Sequence, residues 1–294
     1  MSIFSFFRAL LAIAVLIGGS ASAAEKAEAP NPGFAARCKD PSVEVCLALN
    51  SEEEIARLRF TPSHLNASNR IQWDADAKAA RFTIPSRSPA DSSGQLHIPF
   101  PQPLADVYFS FDVRYPRDLL RYPFKSEGSW KIFILGQGKE GCAPYELVGY
   151  YSHSYPGFYY ICRTGSQIVA VQNPFGDNPS QFDYQPGGDT ACPRTPDSRA
   201  KPCAFFEPDE WVTYQMHLNA ITAVLEVWQT VRGKTLKIIE YQMPNFPAHA
   251  PKYEWLKLTP YNTGKDATED HPSFSLWYRR VIVATRKIPF PGTK

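Results

Sequence analysis

Residues 107 to 115 alternate without a break. Val107, Phe109, Phe111 and Val113 fall on one face of an extended chain, Tyr108, Ser110, Asp112 and Arg114 fall on the other, and Pro116 ends the run. The same period of two returns at 211–218. There Val212, Tyr214, Met216 and Leu218 point one way and Trp211, Thr213, Gln215 and His217 the other. A helix repeats every 3.6 residues and cannot sort these side chains, so both stretches must be strands with one buried face. Residues 224–231 supply the hairpin partner, with Leu225 and Val227 inward and Glu226 and Trp228 outward. A turn through Asn219 to Ala223 sets His217 opposite Glu226 and Gln215 opposite Trp228, while a two-residue slip would change these pairs without changing the faces. Many short strands, with neither a helical crossover pattern nor a phosphate-binding loop, predict an antiparallel β-sandwich.

The other elements follow the same logic. Residues 1–23 read as an export signal, with Arg8 in the charged region, an apolar core from Ala9 to Ile17, and Ala21-Ser22-Ala23 as the cleavage site. The apolar run is too short to span a bilayer. Residues 24–58 read as an arm, flexible to about residue 37, with a capping box at Ser51–Glu54 that opens a short helix over about 52–58. Residues 59–294 are expected to form one sandwich domain. Gln72–Trp73 and Ala80–Ile84 flank the polar turn 74–78 as a hairpin. Asp74 and Asp76 there read as a solvated turn, with calcium possible but not indicated. Trp130–Leu135, Glu146–His153 and Phe158–Arg163 are further strands, and the segment from Gln172 to Pro208 is a long surface insert.

The six cysteines all follow the export signal, which places them in an oxidising compartment, secreted or periplasmic, and makes disulfides the expected state. The sequence leaves their connectivity open. The simplest scheme pairs neighbours: Cys38 with Cys46, Cys142 with Cys162, Cys192 with Cys203. No Cys-x-x-Cys occurs and no histidine stands at ligand spacing, so no metal or other cofactor is expected. A net charge of +2 with scattered basic residues gives no footprint for nucleic acid.

Four segments occur in a telling order: Val-Tyr-Phe-Ser-Phe-Asp-Val-Arg-Tyr (107–115), Trp-Lys-Ile-Phe-Ile-Leu-Gly-Gln-Gly (130–138), the Trp211 strand with Leu-Glu-Val-Trp (225–228), and Trp277-Tyr-Arg-Arg-Val-Ile-Val. Together they resemble the concanavalin A-like jelly roll shared by legume lectins, laminarin-type glucanases and several polysaccharide lyases. The chain is also similar to secreted bacterial and phage-associated proteins of this fold, which carry Pro-Tyr-Asn-Thr-Gly-Lys-Asp (here 260–266) before a Trp-Tyr strand. In those proteins an acidic residue follows the Trp-Tyr pair; here Arg279 and Arg280 do.

The resemblance implies a polysaccharide or other glycan as partner. Glycosidases of this fold carry Glu-x-Asp-x-x-Glu on one strand, holding carboxylates roughly 5–9 Å apart; no such string is present, and Glu207-Pro-Asp-Glu210 reads as a loop. β-Elimination needs a base, a group that neutralises a uronate carboxylate, and an acid for the leaving oxygen. Lys131 or His153 is the candidate base, Tyr159 or Tyr261 the acid, and Arg163 or Lys257 the neutralising cation. Gln215, His217, Glu226, Trp228, Lys257 and Asn262 are candidate sugar contacts, and the alternation sets Lys257 and Tyr261 beside the His217–Glu226 hairpin. Gln95-Leu-His97 echoes the Gln-Ile-His of another lyase group but falls too early in the strand order, and reads as coincidence. The alternatives are a non-catalytic lectin-like or adhesion module and a structural envelope protein.

Overall fold

The computed structural model describes residues 32–60, 70–122, 124–125, 130–138, 147–152, 155–160, 169–171, 208–243, 251–262 and 264–291. Its strands are β1 (Val43–Leu47), β2 (Arg59–Phe60), β3 (Ile71–Asp74), β4 (Ala79–Ile84), β5 (Gln95–Leu104), β6 (Asp106–Arg114), β7 (Trp130–Gly136) and β8 (Leu147–Ser152), followed by β9 (Tyr155–Tyr160), β10 (Val169–Val171), β11 (Trp211–Asn219), β12 (Val224–Val231), β13 (Lys234–Gln242), β14 (Tyr253–Tyr261) and β15 (Phe274–Ala284). Three short helices accompany them: α1 (Pro32–Arg37), α2 (Glu52–Leu58) and α3 (Arg117–Arg121). No described helix is long and apolar enough to cross a membrane.

The strands form two antiparallel sheets. The first runs β13-β12-β11-β6-β15-β4-β3, with β1 also on β15; the second runs β10-β9-β8-β7-β14-β5-β2. Their inner faces make one core, in which Phe109, Phe111, Val113, Tyr214 and Met216 of the first sheet meet Phe133, Leu135, Leu256 and Leu258 of the second. Phe133 stands edge-on to Phe109 at 5.1 Å, and the Tyr278 hydroxyl donates across the gap to the Ile132 carbonyl at 2.8 Å. Burial pushes the Tyr278 phenol far above its ordinary range, so it stays a donor.

Local chemistry explains several elements. Ser51 caps α2 by accepting the Glu54 backbone N–H, while Glu54 returns to the backbone N–H groups of Ala48 and Asn50. The Asn219 side chain accepts from Ile221 N and Thr222 N and starts the β11–β12 turn, fixing the register His217↔Glu226 and Gln215↔Trp228. Asp74 accepts from Asp76 N and Ala77 N to close the β3–β4 hairpin, and its other oxygen takes the Trp277 indole N–H. In β15, Arg280 sits at φ 56° and its N–H leaves the ladder for Ala48 O. This bulge lets one strand serve β4 with its first half and β1 with its second.

Two expectations about the N-terminal region change. Val43–Leu47 is a strand of the first sheet rather than part of an arm, because Val45 and Leu47 find apolar cover against the core. Residues 32–37 are not loose either: α1 lies on the outer face of that sheet, and Cys38–Cys46 ties its end to β1 as expected. The export signal, residues 24–31, Cys142, Cys162, Cys192, Cys203 and most of the long insert lie outside the described residues.

Candidate functional site

β14 is an interior strand of the second sheet, flanked by β5 and β7. Leu256 and Leu258 face the core, which leaves Trp255, Lys257 and Tyr261 on the outer face. The ladders then place His97 beside Lys257, Ile134 on the other side of Lys257, Val148 beside Ile134, and Tyr159 in register with Val148. One turn of the pleat away, Tyr261 pairs with Lys131, and Lys131 with Tyr150. Four positions expected to act together, Lys131, Tyr159, Lys257 and Tyr261, therefore share one sheet.

The contacts on this face are cation–aromatic. Lys131 Nζ lies 4.5 Å from the Tyr261 ring centre, and Lys257 Nζ lies 4.7 Å from that of Trp255. The His97 and Trp255 rings are 5.6 Å apart. Lys131, His97 and Tyr261 are partly exposed, whereas Lys257 is only 6 % exposed, a cation drawn close to the sheet. Trp255 is held from two sides. Its indole N–H donates to Gly138 O at 3.0 Å, and a Cβ on Gly136 would lie 2.2 Å from the ring. The Gly136→Ala variant is expected to lose about 1–3 kcal/mol through displacement of that ring, read by chemical denaturation together with a shifted tryptophan emission.

His97 is the residue that sequence reasoning set aside. Strand order along the chain is not strand order in the sheet: β5, early in sequence, is hydrogen-bonded to β14, so His97 meets Lys257 directly. The signal that could have found it was the outward position of a histidine between two buried residues, Leu96 and Ile98.

The remaining expected sugar contacts lie elsewhere. His217, Glu226, Gln215 and Trp228 belong to the first sheet, so Lys257 and Tyr261 are not beside their hairpin; the sandwich core separates the two groups. Gln215 is 1 % exposed, accepts from Arg37 at 3.2 Å and donates to Ile288 O at 3.0 Å. Trp228 is buried against Phe290 and Lys287. Both were correctly read as outward, but α1 and the C-terminal segment cover them. Asn262 is also buried, and its side chain accepts from Gly264 N to shape the loop after β14. Burial lowers the Arg37 guanidinium to about 10, with Asp112 opposing the shift.

His217 is gripped by two carboxylates, Nδ1 at 2.8 Å from Glu226 and Nε2 at 2.7 Å from Asp106, and stacks on Tyr108 at 3.9 Å. Lys237 adds bonds to Glu226 and Glu240. Burial acts to raise the Glu226 carboxyl, but the hydrogen bonds from Lys237 and His217 outweigh it and hold the group below the ordinary range. A depressed carboxyl stabilises the fold above its unfolded pKa, and that contribution disappears as pH falls through the folded value. Glu226→Gln is thus expected to cost about 1 kcal/mol at neutral pH and nearly nothing in strong acid, as measured by urea unfolding at both.

Among the described residues no group of three or more His, Cys, Asp or Glu side chains could hold a metal ion. Arg279 and Arg280, which follow the Trp277-Tyr278 pair, meet Asp112 of β6 on the first sheet. His153 and Arg163 lie outside the described residues, and Tyr159 is placed by its backbone register alone.

No protein-family model matches the sequence, and no curated protein matches it. Solved structures do. Alginate lyase Aly36B superimposes with a TM-score of 0.52 at 10 % identity, covering 85 % of this chain and 99 % of that one. A variant of Aly36B in complex with an alginate trisaccharide matches at 0.51 and 10 % identity, over 82 % and 98 %. A legume lectin-like domain from Entamoeba histolytica matches at 0.41 and 11 % identity, over 83 % and 97 %. The fold of this chain is the concanavalin A-like jelly roll, with antiparallel sheets and only short helices among the described residues.

Proposed function

We propose that the protein is exported and binds an acidic polysaccharide on the outer face of the second sheet, cleaving it by β-elimination. The observation that supports this is the placement of Lys131 against Tyr261 on the same face as Lys257 and His97. In this reading Lys257, with His97, faces the uronate carboxylate and stabilises the charge that develops when the neighbouring C–H bond breaks. Lys131 Nζ takes the proton from C5. The electron pair forms the C4=C5 double bond, the C4–O bond breaks, and the Tyr261 hydroxyl gives its proton to the departing oxygen. The alginate lyases that share the fold lend the reading support at the level of architecture only.

The test is incubation with alginate, glucuronan and glycosaminoglycans while following the absorbance of the unsaturated product. No rise with any of them rejects cleavage. Binding to a glycan array without such a rise would favour a lectin-like module.

A further inference from the structure

Along β14 the outer face changes sign. At one end stand Lys131 and Tyr261, with Lys257 and His97 next along the strand. At the other end an open depression of about 740 Å³ is lined by exposed Pro99 and Pro103, by buried Phe100 and Trp255, and by His97 and Glu254. Glu254 is exposed, and its carboxylate is fixed in place by accepting the Gly138 N–H at 2.9 Å. Six residue steps separate Trp255 from Tyr261, roughly 20 Å along the strand, a span that several sugar rings can fill.

From this distribution we propose that the ligand is a heteropolysaccharide, with a neutral sugar unit in the depression and a uronate at the Lys131–Tyr261 end, rather than a polymer of uronates alone. The inference rests on the reading of this face as a binding site for acidic glycans. The two exposed prolines, backed by the buried Phe100 and Trp255, offer apolar surface to the C–H face of a sugar ring, and a carboxylate accepts hydrogen bonds from sugar hydroxyls. A second carboxylate brought to the same depression meets Glu254 as a like charge. A fixed anion a few ångströms away in a solvated site disfavours it by roughly tenfold. Lys257 and His97 mark the boundary, because the next position along the chain would find a cation.

Calorimetric titration on a Lys131→Met background, which blocks turnover, tests this with two probes of equal length. One is a mannuronate tetrasaccharide and the other a hyaluronan tetrasaccharide, in which glucuronate alternates with a neutral amino sugar. The alternating probe is expected to bind about tenfold more tightly, and Glu254→Gln, which can still accept the Gly138 N–H, is expected to bring the two affinities together by strengthening the uronate-only probe. Equal affinities before that substitution, or a ratio that the substitution leaves unchanged, would overturn the heteropolymer inference. If neither probe binds to a natively folded protein, as judged by circular dichroism, the acidic-glycan reading itself falls.

Discussion

Replacing Asp112 with alanine is expected to remove about 3–5 kcal/mol of stability, a large share of an ordinary protein's margin. Asp112 is buried in the middle of the first sheet, where Oδ1 accepts the Thr213 hydroxyl at 2.7 Å and Oδ2 faces Arg279 Nε at 3.1 Å and Arg280 at 3.5 Å. Arg279 is nearly as buried and lies 3.8 Å from the Trp211 ring centre. Without the carboxylate the Arg279 and Arg280 charges lose a buried counter-ion in a poorly solvated place, and that loss accounts for most of the cost. The loss should therefore shrink when the cation is removed as well. Asp112→Ala combined with Arg279→Met is expected to be more stable than Asp112→Ala alone in urea unfolding. A double variant less stable than the single one would mean that packing around Trp211 dominates instead.

Lys131→Met is expected to lower lyase turnover by about 10²–10⁴-fold, the usual contribution of a positioned acid–base group. The fold should barely notice, because Lys131 is partly exposed and its contact with Tyr261 contributes about 0.5–1 kcal/mol. Tyr261→Phe keeps the ring that faces Lys131 but loses the proton donor, and a comparable fall is expected. Full turnover by Lys131→Met on a substrate that wild-type protein cleaves would move the base elsewhere, whereas a fall in both variants with unchanged unfolding midpoints would support the pair.

The faces of the strands were legible in the sequence because period-two alternation is a local property. Val107 to Val113, Val212 to Leu218 and Leu225 to Val227 all meet the core as that pattern requires. The faces of the His217 hairpin were legible too, but its register was open to a two-residue slip until the Asn219 side-chain turn selected His217↔Glu226. What alternation cannot tell is what lies over an outward residue. Gln215 is covered by Arg37 and Ile288, which stand 178 and 73 positions away in sequence. Such cover is decided by tertiary packing rather than by any pattern near Gln215. The same limit explains His97 and Lys257. Each is individually readable as outward, but their adjacency depends on β5 pairing with β14, which the order of the chain does not specify. Half of the expected site was thus visible as a set of faces, and the assignment of those faces to two different sheets was not.

The cover on the first sheet has a practical consequence. Phe34 and Cys38 near one end of the described chain pack with Ile288 near the other, and Arg37 and Ile288 share Gln215. Both ends of the described sandwich thus lie on the same side of it, opposite the face that carries Lys131, Lys257 and Tyr261. A protein immobilised through a tether placed directly before Phe34 or directly after Phe290 would present that face outward, so surface-based binding measurements can use either attachment. A circular permutant that joins the two ends by a short linker should keep the sandwich, and new termini opened at the exposed Ile221 turn would leave the second sheet untouched.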